Sequence, residues 1–184
     1  VISDRAGLHD VFIFLTLVIP LLVGFLAFNF PFGLIFLGDA GAYMIGHTLV
    51  WIGIAVVALS PDVSPFAILL IFFWPVADTM LAIYRRRSVG RRSDQPDRLH
   101  FHQLMMRYLE IRYLGRGRRR LANPLAALCL TPMIILPQLL GVLFAFDNKM
   151  AASSVIVVAV VFVLSYMVGV RSAREMARRR PFDD

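Results

Sequence analysis

The chain has 184 residues, of which 59% are hydrophobic, with a mean hydropathy of +0.73, a single cysteine and a net charge of +7. Such a composition lacks the polar surface that would cover a water-soluble globule of this size, which excludes a soluble domain and sets the apolar residues against lipid. The charge points away from nucleic acid as a partner, because the arginines come in runs between long apolar segments, where anionic headgroups and anionic substrates are the natural counterparts; the lone Cys129 excludes an internal disulfide.

The first ten residues begin at Val1 and run at once into a polar stretch, Asp4 to Asp10, without the basic start, apolar run and small-residue cleavage site of a signal peptide. They read as the clipped end of an earlier segment. Five stretches then match the roughly 20 apolar residues that a helix needs to cross a hydrocarbon core of about 30 Å. They are 11–28, 42–59, 66–84, 124–146 and 150–170. None alternates as a barrel strand would, so the expected fold is all-α, a polytopic helical bundle of about five spans. Pro20, Pro75, Pro132 and Pro137 fall inside these stretches and are expected to kink or unwind them locally.

Of the 19 basic residues, 12 lie between Arg85 and Arg120 and 5 between Arg171 and Arg180. The positive-inside rule makes the loop 85–123 and the tail 171–184 cytoplasmic, with the N-terminus outside. It also returns the connection 29–41 to the cytoplasmic face, the side of the arginine-rich loop.

Four groups of residues could carry chemistry. Asp39, in Gly38-Asp39-Ala40-Gly41 immediately before a span, places a carboxylate near the positive end of a helix dipole, where it could hold a cation or serve as an ordinary helix cap. Asp78 lies seven residues before Arg85, about 10 Å along a helix, and an acid within a span is a functional candidate by default unless it pairs with Arg85, Arg86 or another helix. His47, beside Gly46, suggests interhelical packing or a hydrogen bond. His100 and His102, within Asp97-Arg98-Leu99-His100-Phe101-His102-Gln103, are too few for a zinc site without a further ligand, and with the surrounding arginines they suit a diphosphate. The runs 116–120 and 178–180 read as anchors to acidic lipid.

Taken in order, Asn29-Phe30-Pro31, Phe36-Leu37-Gly38-Asp39-Ala40-Gly41, Pro75-Val76-Ala77-Asp78, Arg85-Arg86-Arg87 and Asp97-Arg98-Leu99-His100-Phe101-His102 resemble the successive cytoplasmic motifs of the polyprenyl-phosphate N-acetylhexosamine-1-phosphate transferases. The resemblance runs from about Val11 to Met106 and corresponds to the family's C-terminal half. It implies transfer of a sugar 1-phosphate from a UDP-N-acetylhexosamine to undecaprenyl phosphate with release of UMP, and Mg²⁺ as cofactor. It assigns Asp39 as the catalytic and metal-site aspartate, His100 and His102 to nucleotide-sugar binding, and Arg98 and Asp78 to substrate-binding motif positions. A homodimer is among the arrangements it allows, and the localisation it implies is a bacterial inner membrane with the active face cytoplasmic. The family's adjacent aspartate pair and Asn/Asp-Gly motif belong to its N-terminal half, so the chain alone is expected to be inactive. Two departures bear on substrate choice: Gln103 stands where the family's motif ends in a second consecutive histidine, and Leu34 or Ile35 where a basic residue precedes the GDAG-type motif. Other readings are a muramoyl-pentapeptide transferase-like enzyme, a membrane scaffold, or a transporter using Asp78 and His47, the last disfavoured by the lack of an internal repeat.

Overall fold

The structure, a computed structural model, describes residues 2–5, 7–88, 100–115 and 118–178, with side chains omitted at 5 and 172–178. Every regular element among the described residues is helical. In chain order these are α1 (Ile2–Arg5), α2 (His9–Asn29), α3 (Gly38–Leu59), α4 (Pro65–Ile71), α5 (Phe73–Ser88), α6 (Phe101–Leu109), a π-helical turn (Glu110–Leu114), α7 (Arg119–Leu143) and α8 (Asn148–Arg178). Helices α2, α3, α7 and residues Asn148–Arg171 of α8 are each long and apolar enough to cross a membrane.

The third expected span, 66–84, is broken. Helices α4 and α5 meet at Phe72 with a bend of 78°. The cause lies in Pro75, whose ring collides with the carbonyl four residues earlier, on Ile71, and which has no N–H to offer that carbonyl. The helical ladder stops there and resumes with Val76 N–H donating to the Phe72 carbonyl at 3.3 Å. Pro20, Pro132 and Pro137, in contrast, sit within the continuous helices α2 and α7, as does Pro124.

The segment 85–123 is also more structured than a loop. Its start extends α5 to Ser88, its end opens α7 at Arg119, and α6 with the π-helical turn lies between. Helix α6 forms because Phe101, Leu104, Met105 and Tyr108 recur at i, i+3, i+4 and i+7, giving one apolar stripe. That stripe packs on α7 and α8.

Two clusters of buried side chains hold the bundle. One joins Phe73 of α5, Phe101 and Leu104 of α6, Leu130 of α7, and Phe162 and Tyr166 of α8. The other joins Ile2, Val56 near the end of α3, Val63 and Ala145. Close approach between α4 and α7 depends on Gly141, where a Cβ would stand 2.7 Å from the Ala67 carbonyl oxygen. Helix α3 meets α4 through Gly53, whose missing side chain admits Ile68 and Phe72.

These contacts sort the connections between two ends of the molecule. At one end, Ser64 N–H donates to the Ala145 carbonyl at 2.8 Å and the Ser64 hydroxyl donates to Asn148 Oδ1 at 2.8 Å, with Ile2 packed nearby against Val63. At the other, Gly33 in the connection between α2 and α3 approaches the Asn123 side chain at the start of α7. The GDAG-type motif and α6 therefore lie at the same end, opposite α1, which is the relation expected from the sequence. Helix α2 has no buried residue, and most of the large apolar side chains of α2, α7 and α8 face outward. Cys129 faces outward on α7 as well.

Candidate active site

At Gly38 the backbone adopts φ +73°, a conformation open to glycine without steric cost, and there the chain turns into α3. The N-cap residue is Leu37, which has no side-chain oxygen to give. Asp39 lies inside the first turn and is exposed. Its carboxylate thus stands beside the positive end of the helix dipole without being the cap residue.

Asp78 is on α5, six residues beyond Phe72. Both of its carboxylate oxygens are engaged by the start of α6: His100 Nδ1 lies 2.8 Å from Oδ2, and the Phe101 backbone N–H donates to Oδ1 at 3.2 Å. His100 is the N-cap residue of α6 and has no side-chain cap bond of its own, so Asp78 supplies from another helix the acceptor that an N-terminal turn needs. Side-chain exposure is 40% for His100 and 23% for Asp78, leaving the histidine open on one side while the acid is mostly covered. A largely covered acid with these partners has exchanged solvation for two hydrogen bonds, which offsets much of the cost of covering it.

The arginines considered as partners of Asp78 reach other groups. Arg85 Nη1 donates to the Tyr166 hydroxyl and its guanidinium lies 5.8 Å from the Tyr166 ring centroid, while Arg86 Nε donates to its own helix at the Ala82 carbonyl. Tyr166 in turn meets Phe101, with centroids 6.1 Å apart, and Phe101 also packs against Trp74 at 5.3 Å and Phe162 at 5.5 Å. This aromatic group seats the first turn of α6 so that His100 emerges at the edge of the bundle. Trp74, Phe162 and Tyr166 had no assigned role in the sequence, and the i, i+3, i+4, i+7 stripe beginning at Phe101 would have found only the α6 side of this contact.

His102 lies in the first turn of α6, half-buried, two residues past His100 and so about 200° around the helix. The two rings do not share a helix face. Gln103 presents Oε1 to the interior without a hydrogen-bond partner among the described residues. Arg98 and Asp97 lie outside the described residues. His47 is exposed and meets the edge of Trp51 one turn along α3, at 6.1 Å between centroids, a contact within one helix where an interhelical one was expected. Near the end of α6, a side-chain hydrogen bond with Tyr113 pushes the Tyr108 pKa above the ordinary phenol value.

Among the described residues no group of three or more His, Cys, Asp or Glu is placed to hold a metal. A Mg²⁺ ion does not require one. It is commonly held by one or two carboxylates together with substrate phosphates and water, and the exposed Asp39 carboxylate fits as a single such ligand. Below α6, between α7 and α8, an apolar groove of about 480 Å³ is lined by Met105, Tyr108, Met133, Leu164 and Val168.

Residues 1–57, which include the GDAG-type motif, match the model of glycosyl transferase family 4. The chain is similar to the undecaprenyl-phosphate alpha-N-acetylglucosaminyl 1-phosphate transferase of Haemophilus influenzae, at 36% identity over 103 residues, covering 54% of this chain and 28% of that enzyme. It is similar to the enzyme of the same name from Pasteurella multocida at 40% identity over 81 residues, 42% of this chain and 23% of the relative. The corresponding enzyme of Escherichia coli strain K12 is 38% identical over 74 residues, 40% of this chain and 20% of the relative. The matched stretch therefore spans less than a third of the length of these relatives. No solved structure matches the chain. The resemblance drawn from the motifs is borne out to this extent: the first 57 residues match the glycosyl transferase family 4 model, and the chain is similar to bacterial enzymes that bear the name of undecaprenyl-phosphate alpha-N-acetylglucosaminyl 1-phosphate transferase.

Proposed function

We propose that the chain forms the C-terminal part of a phosphoglycosyltransferase that moves N-acetylglucosamine 1-phosphate from its UDP conjugate to undecaprenyl phosphate, initiating a cell-envelope polysaccharide. The observation that carries this reading is the placement of Asp39 and the His100 turn at one end of the bundle, on the side of the arginine-rich segment, in a chain similar to enzymes named for that transfer. An oxygen of the lipid phosphate attacks the β-phosphorus of the nucleotide sugar. The bond from that phosphorus to the bridging oxygen breaks, and UMP leaves with the bridging oxygen. Asp39 would hold Mg²⁺, which when bound neutralises charge on the diphosphate. His100 and His102, with Arg98, would contact the diphosphate, and the groove beneath α6 has the apolar lining that suits an isoprenoid chain. This end would face the cytoplasm of a bacterial inner membrane, where nucleotide sugars are made and where the excess of arginine belongs.

The test is UMP release from UDP-N-acetylglucosamine and undecaprenyl phosphate by the full-length protein. The expected result is Mg²⁺-dependent release that Asp39→Asn lowers by about a hundredfold or more, the scale on which a preorganised charge contact acts. Turnover unchanged by Asp39→Asn would remove Asp39 from the active site.

A further inference from the structure

The shared carboxylate between α5 and α6 carries an inference about a single residue. We propose that Asp78 is a positioning residue: it does not contact substrate but fixes the ring orientation and proton position of His100 while anchoring the first turn of α6. For its catalytic consequence, though not for the contact itself, the inference rests on the assignment of His100 to the nucleotide-sugar site.

The geometry constrains the chemistry closely. A carboxylate accepts hydrogen bonds, so His100 Nδ1, 2.8 Å from Asp78 Oδ2, carries its hydrogen toward Asp78 whether the ring is neutral or charged. Nε2 is then the nitrogen left for a ligand, an acceptor in the neutral ring and a donor to a phosphate oxygen in the imidazolium. The second oxygen of Asp78 holds the Phe101 N–H at 3.2 Å, immediately beside His100 in sequence. One side chain therefore sets both where the ring sits and which nitrogen it presents. With both oxygens occupied and the side chain only 23% exposed, Asp78 has little left to offer a substrate. The 78° bend is what makes the arrangement possible, since it redirects α5 after Phe72 and carries Asp78 to the start of a helix 22 residues away in sequence.

Substitution by asparagine separates positioning from simple support. An asparagine at 78 can still accept from Phe101 N–H through its carbonyl oxygen, but it then turns its NH₂ toward His100 Nδ1. That nitrogen must become the acceptor, and the hydrogen moves to Nε2. A purely structural role for Asp78 would not move this proton.

In the full-length protein, long-range ¹H–¹⁵N NMR of selectively labelled histidine, assigned through His100→Gln, reads the tautomer directly. The expected result is Nδ1–H for neutral His100 in the wild type, Nε2–H in Asp78→Asn, and retained Nδ1–H in Asp78→Glu, which keeps a carboxylate. UMP release should fall about tenfold or more in Asp78→Asn, the scale seen when an outer partner of a functional histidine is lost. It should fall no further when Asp78→Asn is added to His100→Gln, because both act through one ring. Nε2–H in the wild type would overturn the proposal whether or not any variant folds, and so would an unchanged tautomer in Asp78→Asn or fully additive losses. A tautomer that shifts as expected while His100→Gln retains full turnover would leave the hold of Asp78 on His100 standing and would instead remove His100 from the nucleotide-sugar site.

Discussion

Asp39 and Asp78 are both acids on apolar helices, yet their surroundings give them opposite tasks. Asp39 stands exposed in a first turn with the helix dipole at its back, while Asp78 spends both oxygens on the start of another helix. The exposed position of Asp39 depends on the turn at Gly38, whose positive φ a Cβ would oppose. Gly38→Ala should cost about 1 to 2 kcal/mol, the usual penalty for an L-residue held there, visible as a lowered midpoint in detergent-solubilised unfolding; an unchanged midpoint would mean that the turn relaxes freely. The place of Asp39 at the start of a helix was legible in the sequence, because the long apolar run after Gly41 fixes the helix and the glycines mark its entry. The partner of Asp78 was not, because it depends on a bend and on a helix beyond the arginine run, and a residue counted as membrane-embedded proved to be hydrogen-bonded to the segment read as a loop.

At the scale of elements, four of the five expected spans appear as continuous helices, since long apolar runs fix helix existence well. The remaining one is interrupted because a single proline outweighs the apolar pattern where the next element needs a new direction. Pro75→Ala should restore the missing N–H and relieve the clash with Ile71. Spin labels on α4 and the C-terminal half of α5 should then report a longer separation as the two helices straighten. An unaltered distance would assign the bend to packing on α7 and α8. Helix α6 was overlooked because its nine residues are short and its flanks are rich in charge, although its apolar stripe is regular. Its seat can be weighed through Phe101, buried among Trp74, Phe162 and Tyr166. Phe101→Ala should destabilise the protein by about 3 kcal/mol, as for other large-to-small changes at packed aromatic sites, measured by the same unfolding assay. A change below 1 kcal/mol would show that α6 is held by Asp78 alone. Between α4 and α7, Gly141→Ala drives a Cβ into the Ala67 carbonyl and should also lower the midpoint, by roughly 1 to 3 kcal/mol.

For the whole molecule, the two ends carry different work. One is tied by Ser64, Ala145 and Asn148 and closed by α1, and the other gathers the GDAG-type turn, the end of α5, α6 and the start of α7. The outward-facing apolar surface of α2 suits contact with lipid, and the matched stretch spans less than a third of the relatives' length. The proposed orientation can be read by cysteine labelling in whole cells after Cys129 is replaced. A cysteine at Lys149 should react with a membrane-impermeant maleimide and one at Ser88 should not; the reverse pattern would invert the topology. The reaction itself is tested most directly by following the phosphorus. With UDP-N-acetylglucosamine labelled at the β-phosphate and undecaprenyl phosphate as acceptor, full-length protein should carry the label into the lipid phase together with the sugar, one labelled phosphate per sugar, while unlabelled UMP appears in water. Label left behind in aqueous UDP while the sugar moves to lipid would show ordinary glycosyl transfer and contradict a sugar 1-phosphate transferase.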